Sequence, residues 1–346
     1  MQNRVLLLGL SCLFSFFHAS VLAHSNSVIH RPESHAPAGV MADHLHKAGE
    51  WMIGIRTMSR EFSGLYEGSD PSSNTEAATA GFSMVATDMT MHMLMLDIMY
   101  ALNDDVTLMF MPQYMEMDMT MTSVGGMMMG GMHMGHSGGT HEHSVSGVGD
   151  TILAALMRLH KTGHHDFHAT LGISVPTGSV DERMASGMFT HYGMQLGTGT
   201  WDFLPSVTYT GHQGVHSWGS QLGASLPTES ANDSGFAFGE RYFASGWYAY
   251  RATQSLSVST RVMYEKEGRI QGQYNGPAPT RSPADFQENY GGEFVDVGLG
   301  INTVIQSGGL SGFRAGIEWM IPVSEHYNGF QLGRDQALNV SLSRAY

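Results

Sequence analysis

The chain has 346 residues, of which 42% are hydrophobic and only 14% charged, with 43 Gly, 27 Met and 19 His. Charged residues normally make up about a quarter of a soluble domain, so this surface is short of solubilising charge. Lys and Arg total 17 against 31 Asp and Glu, a net charge of −14, which excludes a nucleic-acid partner held by phosphate neutralisation. A lone cysteine, Cys12, rules out a disulfide framework and a thiolate metal site. Beyond residue 23 no run of about 18 apolar residues exists, so a helical membrane span is excluded.

In chain order, residues 1–23 form a cleaved signal peptide. Arg4 supplies the positive start, 5–17 the apolar core and Val21-Leu22-Ala23 the small-residue cleavage site, leaving His24 first. Residues 24–49 are polar, rich in His, Pro and Ala, and aperiodic; they are expected to be a flexible His-rich N-terminal segment. From residue 50 to 346 the pattern changes to stretches of about ten residues alternating apolar and polar, the signature of a transmembrane β-barrel. Twelve strands are expected, at 51–58, 89–102, 106–121, 147–159, 167–175, 201–210, 216–226, 241–251, 256–271, 294–305, 313–323 and 337–346. An even count suits a bacterial barrel.

The connections alternate in length. Short breaks fall at 103–104, 162–163, 213–214, 253–254 and 307–309, and long ones at 59–88, 122–146, 176–200, 227–240, 272–293 and 324–336. Short periplasmic turns and long extracellular loops behave in this way. The last segment alternates through Leu338, Val340 and Leu342 and ends on Tyr346. The reading is therefore all-β: a closed antiparallel transmembrane barrel of about twelve strands in the outer membrane, with the lipid bilayer as its first partner. A soluble sandwich would have shorter strands and no one-sided long loops.

The stretch AGVMADHLHKAGEWM at 38–52 resembles the N-terminal motif of transporter-like outer-membrane barrels named after the meta-pathway of phenol degradation. SVPTGS at 174–179 and MQLGTGTWD at 194–202 are similar to the same group, and the likeness covers most of the mature chain. Ala42 and Leu45 stand where that motif is expected to carry Gly and Met. The resemblance implies an outer-membrane barrel, carries over no catalytic residue, and says little about what is transported.

The unusual chemistry is in methionine and histidine. Seventeen of the 27 Met lie between Met84 and Met134. They alternate as Met89, Met91, Met93 and Met95, and again as Met115, Met117, Met119 and Met121. Period two puts each set on one face of a strand. The opposite faces carry Leu94, Leu96, Ile98, Leu108 and Phe110, which suit lipid better, so the Met sets are expected to face the lumen. Aligning them requires a periplasmic turn of three or five residues rather than two.

The hairpin continues into a loop of Met, His and Gly. Candidate soft-metal ligands are Met91, Met93, Met95, Met115, Met117 and Met119 on the strands. In the loop they are Met127, Met128, Met129, Met132, His133, Met134, His136, His141 and His143. His44 and His46 form a further concentration on the periplasmic side. Thioethers select Cu(I) and, by softness, Ag(I), while imidazole suits Cu(II) and Zn; no cofactor is required. Against this stands packing: Met is a flexible apolar filler, and a Met-rich strand can pack against an N-terminal segment plugging the lumen. The histidines at 160, 164, 165 and 168 read as a solvated turn.

No Gly-x-Ser-x-Gly elbow or His-Glu-x-x-His helix occurs, and the acid pairs Asp104-Asp105 and His165-Asp166 map to periplasmic turns, so no enzymatic activity is expected. The first functional reading is a barrel that binds or conducts copper-like ions through a Met/His-lined lumen and outer loop. The alternative is a passive channel for small organic or aromatic solutes, and a third is surface sequestration of metal without conduction.

Overall fold

The computed structural model describes residues 31–124, 128–129, 132–133 and 139–346. Residues 1–30, which include the expected signal peptide, and the ligand candidates Met127, Met134 and His136 lie outside the described residues. Twelve antiparallel strands close into a barrel. They are β1 (Trp51–Glu67), β2 (Met84–Asn103), β3 (Val106–Met111 and, after Pro112, Gln113–Ser123) and β4 (Thr140–Val148 and Thr151–Lys161). Next come β5 (His165–Val175), β6 (Asp202–Gln213), β7 (His216–Pro227) and β8 (Arg241–Arg251). The wall is completed by β9 (Leu256–Glu267), β10 (Gly292–Val304), β11 (Arg314–Tyr327) and β12 (Phe330–Ala345). Each strand pairs with its neighbours in sequence, and β1 pairs with both β2 and β12, which closes the cylinder.

The alternation decides the two faces. Outward positions such as Ile53, Ile55, Leu94, Leu96, Leu171, Ile173, Leu299 and Ile317 are exposed and apolar, while their neighbours in sequence point into the barrel. Aromatic side chains mark both rims: Trp51, Tyr100, Tyr248, Tyr250 and Tyr346 at the end that carries the short turns, and Tyr114, Trp201, Tyr242 and Tyr264 at the other. Apolar bands bounded by aromatic girdles are how outer-membrane barrels match the bilayer. The short-turn end is therefore periplasmic and the long-loop end extracellular.

Three expectations change. The β2–β3 turn has only two residues, Asp104-Asp105, yet the Met sets align, because a bulge at Leu102 adds the missing residue. The loop expected at 324–336 does not exist: β11 and β12 run on to a two-residue Asn328-Gly329 turn. Their ladder stops at Met320↔Ala337. Above it Pro322 cannot donate, Val323 and Asp335 are bulged, and the Arg334 amide donates instead to the Glu325 carboxylate (2.9 Å) and the Tyr327 hydroxyl (2.8 Å). Finally, β4 begins at Thr140, so His141 and His143 sit on a strand paired with Met121 and Met119, not in the loop.

Residues 31–50 lie inside the periplasmic half of the lumen as a plug. Their polar, aperiodic sequence reads as flexible because no local pattern orders it; the barrel wall does. Arg56 of β1 donates to the carbonyls of Ala38 (2.9 Å) and Val40 (2.8 Å), and Gln221 of β7 to that of Met41 (3.0 Å). His168 of β5 donates through Nε2 to the Ala42 carbonyl (2.9 Å), so this histidine is buried structure, not a solvated turn. The Gly39 amide donates to Glu318 of β11 (2.9 Å), itself paired with Arg261 (2.8 Å). A Cβ at Gly39 would stand 2.6 Å from both the guanidinium and the carboxylate, so any larger residue would have to push the ion pair aside.

Candidate functional site

The site is the lumen between the plug and the extracellular loops. Its wall on one side is methionine. Directly opposite pairs are Met89↔Met119, Met91↔Met117 and Met93↔Met115 across β2 and β3, with Met58 of β1 opposite Met93. Lower down, Met99 pairs with Met109 and packs with Met52 against Ala42 and Leu45 of the plug. At the top, Met117, Met119 and Met121 pack against Met194 and Leu196 of the third extracellular loop, 176–201. Between these packed ends, Met91, Met93, Met95, Met111 and Met115 line an open cavity of about 740 Å³. One face of β2 and β3 thus packs at its two ends and lines the cavity in between.

The opposite wall is polar. Glu265 of β9 is paired with Arg241 and with Arg334 (2.6 Å), and Arg334 also reaches Asp296 (3.6 Å) and lies over the Phe294 ring (3.6 Å). Arg261 and Glu318 form a second buried pair. Buried charges are tolerated when paired in this way. The cavity consequently has an apolar, deformable side and a charge-paired side.

The third loop caps it. β4 breaks at Gly149-Asp150, and the freed Asp150 carboxylate accepts the amides of Gly178 (2.9 Å) and Thr198 (2.7 Å) and the Thr198 hydroxyl (3.0 Å). The two loop arms touch where Gly178 meets Gly197, and a Cβ on Gly197 would come within 2.4 Å of Asp150. SVPTGS and MQLGTGTWD are therefore the two halves of one clasp. Above it, Phe189, Tyr192 and Tyr274 stack at 4.1 and 4.3 Å with Phe236 and Ile270, tying the loops together. His143 rests edge-on against His191 (5.4 Å), whose Nδ1 is bonded to Asp285 (2.6 Å).

The remaining ligand candidates fall elsewhere. His141 is exposed at the strand edge beside the loop, and Met128, Met129, Met132 and His133 form a small two-stranded pairing in it. His44 and His46 lie in the plug, where His44 Nδ1 is 2.8 Å from Asp43 and its ring is 4.7 Å from that of His46. Burial pushes His46 down to about 3, and burial with the nearby Arg314 charge holds His35 well below the ordinary histidine value. Asp104, Asp105 and Asp166, the acid pairs of the turns, hold Arg158 and the Ala48 amide. Sequence reasoning missed Asp150 and Glu318, which anchor the cap and the plug; the only local signal was a carboxylate at an inward strand position.

A closed twelve-stranded barrel with a lipid-facing apolar belt, girdled rims and a lumen plugged at its periplasmic end is an outer-membrane barrel of the bacterial cell envelope. Residues 105–284, just over half of the chain, match the family described as the MetA-pathway of phenol degradation, and the chain belongs to that family. The fold is similar to that of an outer-membrane channel from Pseudomonas putida, with 16% identity over 89% of this chain and 99% of that one and a TM-score of 0.58. Lower similarity extends to the β domain of a Bordetella autotransporter (9% identity, 87% and 100% covered, TM-score 0.44). A FadL homologue of Pseudomonas aeruginosa is comparable (10% identity, 86% and 89% covered, TM-score 0.40). No curated protein matches the sequence.

Proposed function

We propose that the protein is a non-enzymatic outer-membrane channel for small organic solutes with an apolar or aromatic body. The observation that carries this reading is the Met-lined cavity of about 740 Å³, within the range of roughly 300–1,000 Å³ typical of small-molecule sites. Its thioethers spread along a wall, which suits contact with a hydrophobic body better than coordination of one ion. Flexible Met side chains adapt to differing shapes, and the charge-paired wall offers hydrogen bonds to a polar substituent. The family's description, phenol degradation, points the same way.

The test measures uptake of radiolabelled toluene, with glucose as control, by cells whose only added outer-membrane protein is this chain. Parent protein should accelerate toluene entry several-fold and glucose entry little. Replacing Met91, Met93, Met95, Met115, Met117 and Met119 by Leu keeps apolar volume and should keep uptake, whereas Met93→Arg should abolish it. No acceleration by a folded parent barrel would end the proposal. Loss of Cu(I) binding in the Leu variant, with toluene uptake absent in both proteins, would favour the soft-ion reading instead.

A further inference from the structure

The plug holds a constellation of side chains that the solute pathway does not use. His35, Asp43 and His44 each offer a ligand atom, and these atoms lie within 4.8 Å of one another. The His35 and His44 rings meet edge-on at 4.2 Å, and the His44 and His46 rings at 4.7 Å. His46 is nine-tenths buried, with a side chain only 5% exposed, yet its Nε2 has no hydrogen-bond partner, and neither has the buried Nε2 of His44. A buried imidazole nitrogen without a partner is costly, and here two sit side by side. His44 Nδ1 faces Asp43 Oδ1 at 2.8 Å, so that nitrogen carries the proton and Nε2 presents its lone pair. A carboxylate behind a histidine in this way is the usual support of a metal-bound imidazole. Next to His35 and Asp43 lies a cavity of about 30 Å³, the space of one water or ion.

We propose that His35, His44 and His46, with Asp43 supporting His44 from behind, bind one divalent first-row transition ion of the class that imidazole selects, such as Zn²⁺ or Cu²⁺. The ion would fasten residue 35 to the 43–46 segment and so lock the plug into its own fold. Two observations fit this role. Ala42, immediately before the cluster, has φ +53°, a left-handed conformation that a non-glycine residue holds only when its surroundings impose it. The Asp43 carboxylate already links the same two arms by accepting the Ala36 amide (2.9 Å). Of the nearby cations, Arg56 is paired with Asp97 and bonded to two plug carbonyls, whereas Arg314, bonded to the Arg31 carbonyl (3.0 Å), keeps a charge against which the ion must bind. The His35 and His44 ligand atoms, within 4.8 Å of each other, must draw together by roughly an ångström for both to reach metal-bond distances of about 2.0–2.2 Å. His35 and His44, each about a fifth exposed, have the freedom to do so.

The test is calorimetric titration of Zn²⁺ into the folded, untagged, metal-stripped mature barrel in detergent, with melting followed in parallel. One equivalent should bind with micromolar or tighter affinity, and the melting temperature should rise by several degrees. His44→Gln with His46→Gln should weaken binding at least tenfold and remove the melting shift, with heat-modifiable migration reporting that the variant is folded. His141→Gln with His143→Gln, at the far end of the barrel, should leave both unchanged. If the plug variant does not fold, His35→Gln alone takes its place with the same expectation. Absence of stoichiometric binding to the parent, binding that survives the plug substitutions, or binding lost only in the His141/His143 variant would overturn the proposal.

Discussion

Removing the Asp150 carboxylate tests whether the cap over the cavity is held from the barrel wall. Asp150 is buried and accepts three hydrogen bonds, from the Gly178 amide, the Thr198 amide and the Thr198 hydroxyl. Hydrogen bonds to a charged acceptor contribute about 1.5–3 kcal/mol each. Water can enter the vacated space and replace part of that, so Asp150→Ala should cost about 3–4 kcal/mol in loop docking. At roughly 1.4 kcal/mol per tenfold change, the loop's opening equilibrium should rise by a factor on the order of a hundred to a thousand. Trypsin cleavage after Arg183, in the middle of the loop, reports that opening when reclosing is fast relative to cleavage. Cleavage should accelerate by two to three orders of magnitude, and single-channel conductance should rise, while the barrel retains its heat-modifiable migration. Asp150→Asn keeps one acceptor oxygen and should fall between the two. If cleavage in the folded Ala variant stays within about threefold of the parent, a change worth under ~0.7 kcal/mol, the carboxylate does not hold the cap and the account of the clasp is wrong.

Three further outcomes follow from the plug and the topology. Ala42→Gly should raise stability by about 1 kcal/mol, read as a higher melting temperature, because glycine takes the left-handed conformation at φ +53° without strain; an unchanged or lower melting temperature would count against that backbone. Arg261→Met strands the buried Glu318 carboxylate, which also holds the Gly39 amide, and should cost about 3–5 kcal/mol by denaturant titration. Adding Glu318→Met should recover most of that loss, and a double variant no better than the single would refute the pairing argument. A cysteine at Thr75, in the extracellular helix Asn74–Thr79, should react with an impermeant maleimide on intact cells, whereas one at Gln254, in a periplasmic turn, should not; the reverse pattern would invert the barrel.

What the sequence made legible was whatever has period two. The inward Met sets and the outward Leu, Ile and Phe sets are a direct print of the pleat, and the closed wall of twelve strands follows from counting such prints. Features that depend on register or on distant partners were not legible. The Leu102 bulge leaves no compositional trace, yet it reconciles a two-residue turn with aligned Met faces. The Asn328-Gly329 turn did carry the strongest short-range hairpin signal. It was obscured by the polar run Ser324-Glu325-His326, which stands above the apolar band and so loses the alternation that marks a strand. The plug was illegible for another reason: its order comes from Arg56, His168, Gln221 and Glu318, which belong to four different strands. The motif itself left one clue, since Ala42 occupies a position where glycine was expected and adopts the conformation glycine prefers.

The division of the lumen into two walls also explains why methionine was used there. A strand side chain that must both pack and yield cannot be β-branched, because Val and Ile are held to few rotamers, and it cannot be aromatic, because a ring occupies a fixed slot. Met has three rotatable bonds and a polarizable end, so the same residue type can be buried against the plug at Met52 and Met99, buried against the cap at Met117 and Met121, and left lining open space at Met91, Met93 and Met115. Across the cavity, the pairs Arg261–Glu318 and Arg334–Glu265 fix the opposite wall rigidly. Deformability is thus concentrated on the side contributed by β2 and β3, while the paired charges fix the wall opposite.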